Sequence, residues 1–403
     1  MTNSKGSVIM RKGTFQWMKS VNRSIILNKI RTDSPISRAQ IAKETKLTPP
    51  TVSSNVKTLI EQGIVMESVL GESQGGRKPT MLLINHEEFY VIGVDIGPQV
   101  IDYVVADIAG TIITRTSSKL MIPITNIEFL TILKKGIHVL MADSSIDVKK
   151  MIGIGIAMHG VVEVETGTSL FAPNLGLTNI PIKEELEKEF DIDVKVENDA
   201  RVMALGESWF GDHGKVDSML AVNLGRGVGA GIVIDGKLFH GARDIAGEVG
   251  HMTIDIHGEI CECGNRGCLQ TFATGSAIAK QASKVLTVGK QNENDQVLIT
   301  GEKVYALALA GNQECIDILK NTGEIIGIGL TNLIHIINPE KIVLGGGVTK
   351  SSKYMLPAIH ETIGRRALTP QARKTEVVVS ELGDDATISG AVALILVDFF
   401  DPA

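Results

Sequence analysis

Met219-Leu220-Ala221-Val222-Asn223-Leu224-Gly225-Arg226-Gly227-Val228-Gly229-Ala230-Gly231-Ile232-Val233-Ile234 reads as an apolar strand, a glycine turn and a second apolar strand. The same scheme stands earlier in the chain. Tyr90-Val91-Ile92-Gly93-Val94-Asp95-Ile96-Gly97 is an apolar strand ending in Asp-x-Gly, and Val104-Val105-Ala106-Asp107, closed by Gly110, supplies a hairpin partner. A third cluster, Gly345-Gly346-Gly347, follows the strand Ile342-Val343-Leu344. A tight turn accounts for any one of these runs, but their recurrence among alternating strands and helices predicts an α/β protein with two β-rich halves around a cleft. Backbone amides in such turns can surround a phosphate.

Composition agrees with that class. The 403 residues are too many for one ordinary core, and 43% hydrophobic residues with 42 glycines and 4% aromatics suit an α/β chain rather than a disordered one. The absence of an uncharged apolar run of about 18 residues and of an apolar leader predicts a cytoplasmic protein without a membrane span. Charge is divided unevenly. Residues 1–80 hold 13 Lys and Arg against 5 Asp and Glu, an excess of 8 positive charges, so the remainder carries a net charge of -14. The basic end suits a polyanion.

That basic end has its own plan. From Gln16 to Ile30, Met18, Val21, Ile25, Ile26, Leu27 and Ile30 recur at helical spacing and predict one buried stripe. Pro35 interrupts, Ser37 can cap, and a short second helix starts at Arg38 and ends over Thr45 to Leu47. Thr48 then caps a third helix with Pro49 and Pro50 in its first turn. Val52, Val56, Leu59 and Ile60 are expected inside, leaving Thr51, Ser53, Ser54, Asn55 and Lys57 outside as groups suited to phosphates and base edges. Strands at Gly63–Glu67 and Met81–Ile84, separated by a glycine-rich loop containing Arg77 and Lys78, predict a wing. A protein-binding role for this module is the alternative reading.

The densest chemical signal is Glu248-Val249-Gly250-His251 followed by Cys261-Glu262-Cys263-Gly264-Asn265-Arg266-Gly267-Cys268. His251, Cys261, Cys263 and Cys268 make a complete tetrahedral donor set with no place left for a catalytic water, which predicts a structural zinc. Val196-Glu197-Asn198-Asp199-Ala200 delivers an amide and a carboxylate at a strand end. Asn198 and Asp199 there can bind adjacent hydroxyls or cap a helix, and Asp199 could also deprotonate a sugar hydroxyl.

Taken together these segments resemble the ROK family of bacterial repressors and sugar kinases, over nearly the whole chain and closest to its xylose-repressor branch. The resemblance rests on the zinc signature and on Pro35-Ile36-Ser37-Arg38-Ala39, Thr51-Val52-Ser53-Ser54 and Gly75-Gly76-Arg77-Lys78-Pro79. It implies a winged helix-turn-helix over residues 1–85, then a two-lobed, hexokinase/actin-like (ribonuclease H-like) ROK domain. The first lobe would span 86–205 plus 385–403, and the second, with the zinc site and an oligomerisation surface, 206–384. Sugar contacts carry over to Asn174, Asn198, Asp199, Glu248, His251 and Gln270, with Asp199 as the base if the chain is a kinase. DNA contacts fall on Arg38, Thr48, Thr51, Ser53, Ser54, Lys57, Arg77 and Lys78.

Two positions depart from the kinase pattern. Asp95-Ile96-Gly97-Pro98-Gln99 stands where kinases have Asp-x-Gly-Gly-Thr, losing an N–H donor and a phosphate-binding hydroxyl, and Gly225-Arg226-Gly227 stands for Gly-Thr-Gly. These departures argue against ATP as a ligand. The resemblance therefore implies a repressor that binds double-stranded operator DNA as a homodimer or homotetramer and answers to a monosaccharide, xylose by analogy. A sugar kinase with an added DNA-binding domain, and a regulator that answers to a phosphocarrier protein, are the alternatives.

Overall fold

The computed structural model describes residues 15–70, 79–214, 216–286 and 299–400, and side chains are not described for residues 15–20, 69 and 70. The head comprises α1 (Phe15–Asp33), β1 (Ile36–Ser37), α2 (Arg38–Thr45), α3 (Pro49–Glu61), β2 (Val65–Leu70) and β3 (Thr80–Ile84). Capping chemistry sets its boundaries. Ser37 Oγ accepts the Gln40 N–H to start α2, and the Thr48 side chain accepts the Thr51 N–H ahead of Pro49 and Pro50 to start α3. Antiparallel β2 and β3 form the wing's strands, and β1 adds a third strand on β3.

Several of the inward and outward assignments differ from the sequence expectation. Ile25 is 40% exposed, because the stripe of α1 that buries Ile26, Leu27 and Ile30 turns Ile25 toward solvent. Asn55 is buried rather than outward, its Nδ2 donating to Thr51 O across one turn of α3. Ile60 is only partly buried. Residues 71–78, with Arg77 and Lys78, lie outside the described residues.

Beyond the head come β4 (Tyr90–Ile96), β5 (Val100–Asp107), β6 (Ile112–Lys119), α4 (Asn126–Ser144), β7 (Met151–Met158), a small sheet of β8 (Val161–Glu163), β9 (Thr168–Ala172) and β10 (Leu177–Ile180), then α5 (Ile182–Phe190), β11 (Val194–Asn198) and α6 (Asp199–Phe210). The second half holds β12 (Ser218–Leu224), β13 (Val228–Ile234), β14 (Lys237–Leu238), α7 (Gln270–Ala273), α8 (Gly275–Val285), α9 (Gly301–Leu309), α10 (Gln313–Ile337), β15 (Lys341–Gly345), α11 (Ser352–Arg366), β16 (Glu376–Val379) and α12 (Ala386–Phe400).

The duplication expected from the glycine turns is visible in the strand order. One sheet runs β6-β5-β4-β7-β11 and the other β14-β13-β12-β15-β16: in each, a three-stranded antiparallel meander is extended from its first strand by two parallel strands. Helices α6 and α12 lie between the two sheets, α12 on β4 and β7, α6 on β12 and β13. Glycine makes this layer thin. A Cβ on Gly155 would sit 1.8 Å from Ala391 O, and one on Gly390 would sit 1.9 Å from Val202 O, so helix meets strand and helix meets helix backbone to backbone. The lobe boundary expected between residues 205 and 206 falls inside α6.

The head's core does not stop at the head. Ile26, Ile30, Val52, Leu59 and Leu82 form one buried cluster with Val91 and Val104 of the first sheet and with Val392, Leu396 and Phe400 of α12. Among the described residues no helix is long and apolar enough to cross a membrane.

Candidate functional site

A cleft of about 430 Å³ opens at the ends of the inner strands of both sheets. Parallel β4, β7 and β11 all end on it, so Asp95, His159 and Asn198 arrive side by side, and the turn between β12 and β13 brings Gly225, Arg226 and Gly227 from the other lobe. All six residues expected to bind sugar line this one cavity: Asn174, Asn198, Asp199, Glu248, His251 and Gln270.

Asn198 serves two purposes. Its Oδ1 accepts the Ala200 and Arg201 N–H groups and so caps α6, while Nδ2 donates to Gly160 O at 2.9 Å, leaving one amide hydrogen for a ligand. Asp199 opens α6, where burial pushes its carboxyl above the ordinary range, His159 and the Ala200 N–H counteract this, and Glu248 adds to it. Asp95 is pushed up to about 7, chiefly by burial and further by the charges of Asp199 and Asp102. The cleft floor is thus acidic and partly desolvated, and suits neutral polyols that donate hydrogen bonds to carboxylates.

Three participants were not singled out by the sequence reading. His159 is buried, its Nδ1 3.2 Å from Ile96 O and its Nε2 without a partner among the described residues. Glu197, 2% exposed, accepts from Arg201 Nε at 2.7 Å and the Asn198 N–H at 2.6 Å, and lies 2.7 Å from His240 Nε2. Arg201 Nη1 donates in turn to Asp244 O at 2.6 Å, so this buried pair ties the 240–247 loop to the end of β11. An acidic residue just before Asn-Asp and an Arg one turn later were the available signals.

The thiolate cluster lies against the cleft. The donor atoms of His251, Cys261, Cys263 and Cys268 all lie within 4.8 Å of one another. Cys263 Sγ and Cys268 Sγ are 3.8 Å apart, and so are Cys261 Sγ and His251 Nδ1. Tetrahedral ligation with metal–sulfur bonds of about 2.3 Å puts sulfurs about 3.8 Å apart, so the residues fit a four-coordinate metal. The Asn265 N–H holds the Cys263 thiol down to about 7. His251 presents Nδ1 to Cys261 while its Nε2 lies 4.0 Å from Glu248, so one imidazole faces both the cluster and the cleft. Gln270 bridges in the same way: its Nε2 donates to Cys261 Sγ at 3.2 Å, and the residue lines the cleft.

On the head, Thr48, Ser53, Ser54 and Lys57 are exposed and Thr51 half-buried, all on or beside α3. Lys57 is loosely paired with Glu61 at 3.8 Å. Arg38 is engaged with Glu67 at 2.7 Å, tying the start of α2 to the wing strand β2.

The comparisons with known proteins follow the same division. A family model described as "ROK family" matches residues 91–397, and one described as "Winged helix-turn-helix DNA-binding" matches residues 23–66. A xylose repressor of Caldicellulosiruptor bescii is 34% identical over 393 residues, 96% of this chain and 98% of that protein. The crystal structure of a ROK family transcriptional regulator, a homologue of the E. coli MLC protein, superposes with a TM-score of 0.83 at 28% identity, covering 95% of this chain and 97% of that one. A ROK family glucokinase from Streptomyces griseus, in complex with glucose and AMPPNP, gives a TM-score of 0.65 at 28% identity over 76% of this chain and 98% of its own.

Proposed function

The chain belongs to the ROK family, and from that premise we propose that it is a sugar-responsive, DNA-binding transcriptional repressor of carbohydrate-utilisation genes whose inducer is a monosaccharide, xylose by likeness to its relatives. The observation that carries this reading is the single cleft lined by Asn174, Asn198, Asp199, Glu248, His251 and Gln270 in a chain whose head presents the polar face of α3. In this reading the sugar's hydroxyls donate to Asp199 and Glu248 and accept from the free amide hydrogen of Asn198. His251, Cys261, Cys263 and Cys268 hold a structural zinc, which supplies a fixed position for His251 and no chemistry of its own. Two copies of the chain place two copies of α3 on a pseudo-palindromic operator, with Thr48, Thr51, Ser53, Ser54 and Lys57 toward the groove and Arg77 and Lys78 as further DNA contacts.

Sugar binding biases the arrangement of the lobes and thereby the spacing of the heads, which requires different affinities for the two arrangements, typically about 1–3 kcal/mol of coupling. Gel-shift titration with D-xylose and a panel of other pentoses and hexoses tests the reading. Xylose is expected to release operator; operator affinity unchanged by every sugar of the panel overturns it.

Asp199 at the cleft floor keeps one rival in view, an ATP-dependent sugar kinase with an added DNA-binding head. Pro98 and Arg226, which line the cleft at the positions where the resemblance to kinases puts phosphate contacts, stand against it. ADP release coupled to a sugar panel, abolished by Asp199→Asn, would establish the rival.

A further inference from the structure

Helices α6 and α12 both begin at the cleft and both end beneath the head. Asn198 and Asp199 line the cleft at the start of α6, and Thr387 lines it at the start of α12. Trp209, ten residues after Asp199 and so roughly 15 Å along α6, meets Phe400, the last residue of α12, with ring centroids 6.0 Å apart. The two helices pack backbone to backbone at Gly206 and Gly390, with no side chains between them to take up a shift: a Cβ on Gly206 would lie 2.3 Å from Ala386 O.

The far ends of both helices are held by α1 of the head. The Arg31 guanidinium lies 4.1 Å from the centre of the Trp209 ring and 5.5 Å from that of Phe400. Asn28, one turn earlier, donates from Nδ2 to Phe400 O at 3.1 Å, and its Oδ1 accepts from Arg31 Nε. The apolar contacts of α1 hold the head down but fix no direction, whereas a cation over two tilted rings and a hydrogen bond to the last turn of a helix do.

We infer that Arg31, stacked on Trp209 and Phe400, is the positioning residue through which α6 and α12 set the orientation of the DNA-binding head, so that a ligand in the cleft reaches the head as a rigid displacement of these two helices. The inference deepens the proposed function and rests on it for the identity of the ligand.

The test uses the full chain, D-xylose, and a duplex operator obtained by in vitro selection with the same chain. In Arg31→Ala the Kd for xylose stays within about twofold of the unaltered chain, because the cleft is untouched, while the change in operator affinity caused by saturating xylose shrinks from about tenfold to threefold or less. Arg31→Lys, which keeps a cation over the rings, restores part of that change, whereas Arg31→Met, which keeps most of the packing without the cation, is expected to behave like Arg31→Ala. An undiminished xylose effect in Arg31→Ala overturns the inference. Trp209 supplies the second measurement. The chain has two tryptophans, so in a Trp17→Phe background Trp209 alone reports the joint, and its emission is expected to change on adding operator without sugar. An emission unmoved by operator overturns the inference even if Arg31→Ala fails to hold DNA. Absence of any sugar effect on the unaltered chain would instead sink the proposed function, and the response of Trp209 to operator would still decide the joint.

Discussion

The carboxylates of the cleft floor carry a signature in pH. Asp95 rises from 3.8 to about 7, first through burial, so between those values the folded chain keeps a proton that the unfolded chain has released. The folded state binds more protons in that window, and stability therefore falls as pH climbs from about 4 to 7. Asp95→Asn removes the burden: its Tm is expected to exceed that of the unaltered chain by roughly 5 °C at pH 8 and to match it near pH 4. Melting curves at both pH values check the sign, and an advantage confined to acid would contradict it. At the cluster, Cys263→Ser is expected to lose metal on dialysis and to weaken sugar binding on the order of tenfold, since His251 loses its anchor; metal analysis and calorimetry on one sample read both. The donor residues were legible in the sequence because His251 and the three cysteines lie within one short segment. His159 and the Glu197–Arg201 pair were not, since their partners, Ile96 and the 240–247 loop, are distant in the chain and imposed only by the sheet order.

Elements were legible where they carry their own punctuation. Ser37 and Thr48 cap, Pro49 and Pro50 open α3, and the glycine turns divide strands, all through short-range chemistry. Inside and outside were less secure, because a stripe read at ideal spacing cannot say where it is widest: Asn55 turned in to bond Thr51 O, and Ile25 turned out. The layer of α6 and α12 escaped the sequence reading altogether, its reason being contact across nearly two hundred residues. It makes a direct prediction. Gly390→Ala puts a methyl group against Val202 O and is expected to destabilise by about 1–3 kcal/mol. Gly364→Ala, at a helical position with open space around the new Cβ, is expected to stabilise by up to about 1 kcal/mol. Denaturant unfolding of the two variants side by side tests the asymmetry, and equal losses would refute the account of the thin layer.

Across the whole molecule the uneven charge and the two-lobed plan were both readable, the first by counting and the second because strand, glycine turn and strand recur. Counting also predicts behaviour. Each basic group that neutralises a phosphate adds to the salt dependence of operator binding, so Lys57→Ala, on the exposed face of α3, is expected to weaken binding and to lower the slope of log K against log salt by about 1. A slope unchanged from 50 to 200 mM salt, roughly the range over which such contacts show, would remove Lys57 from the interface. What composition could not convey is that reader and receptor share an interior: Leu59 and Leu82 of one are buried in the same cluster as Val104 and Leu396 of the other.

That common interior bears on how such a protein can be rebuilt. Cutting at residue 85 would strip oil-like surface bare on both fragments, so the N-terminal piece is a poor candidate for grafting onto a foreign receptor. A working chimaera would have to import Trp209, Phe400 and the facing side of the first sheet along with it, or supply equivalents of matching shape.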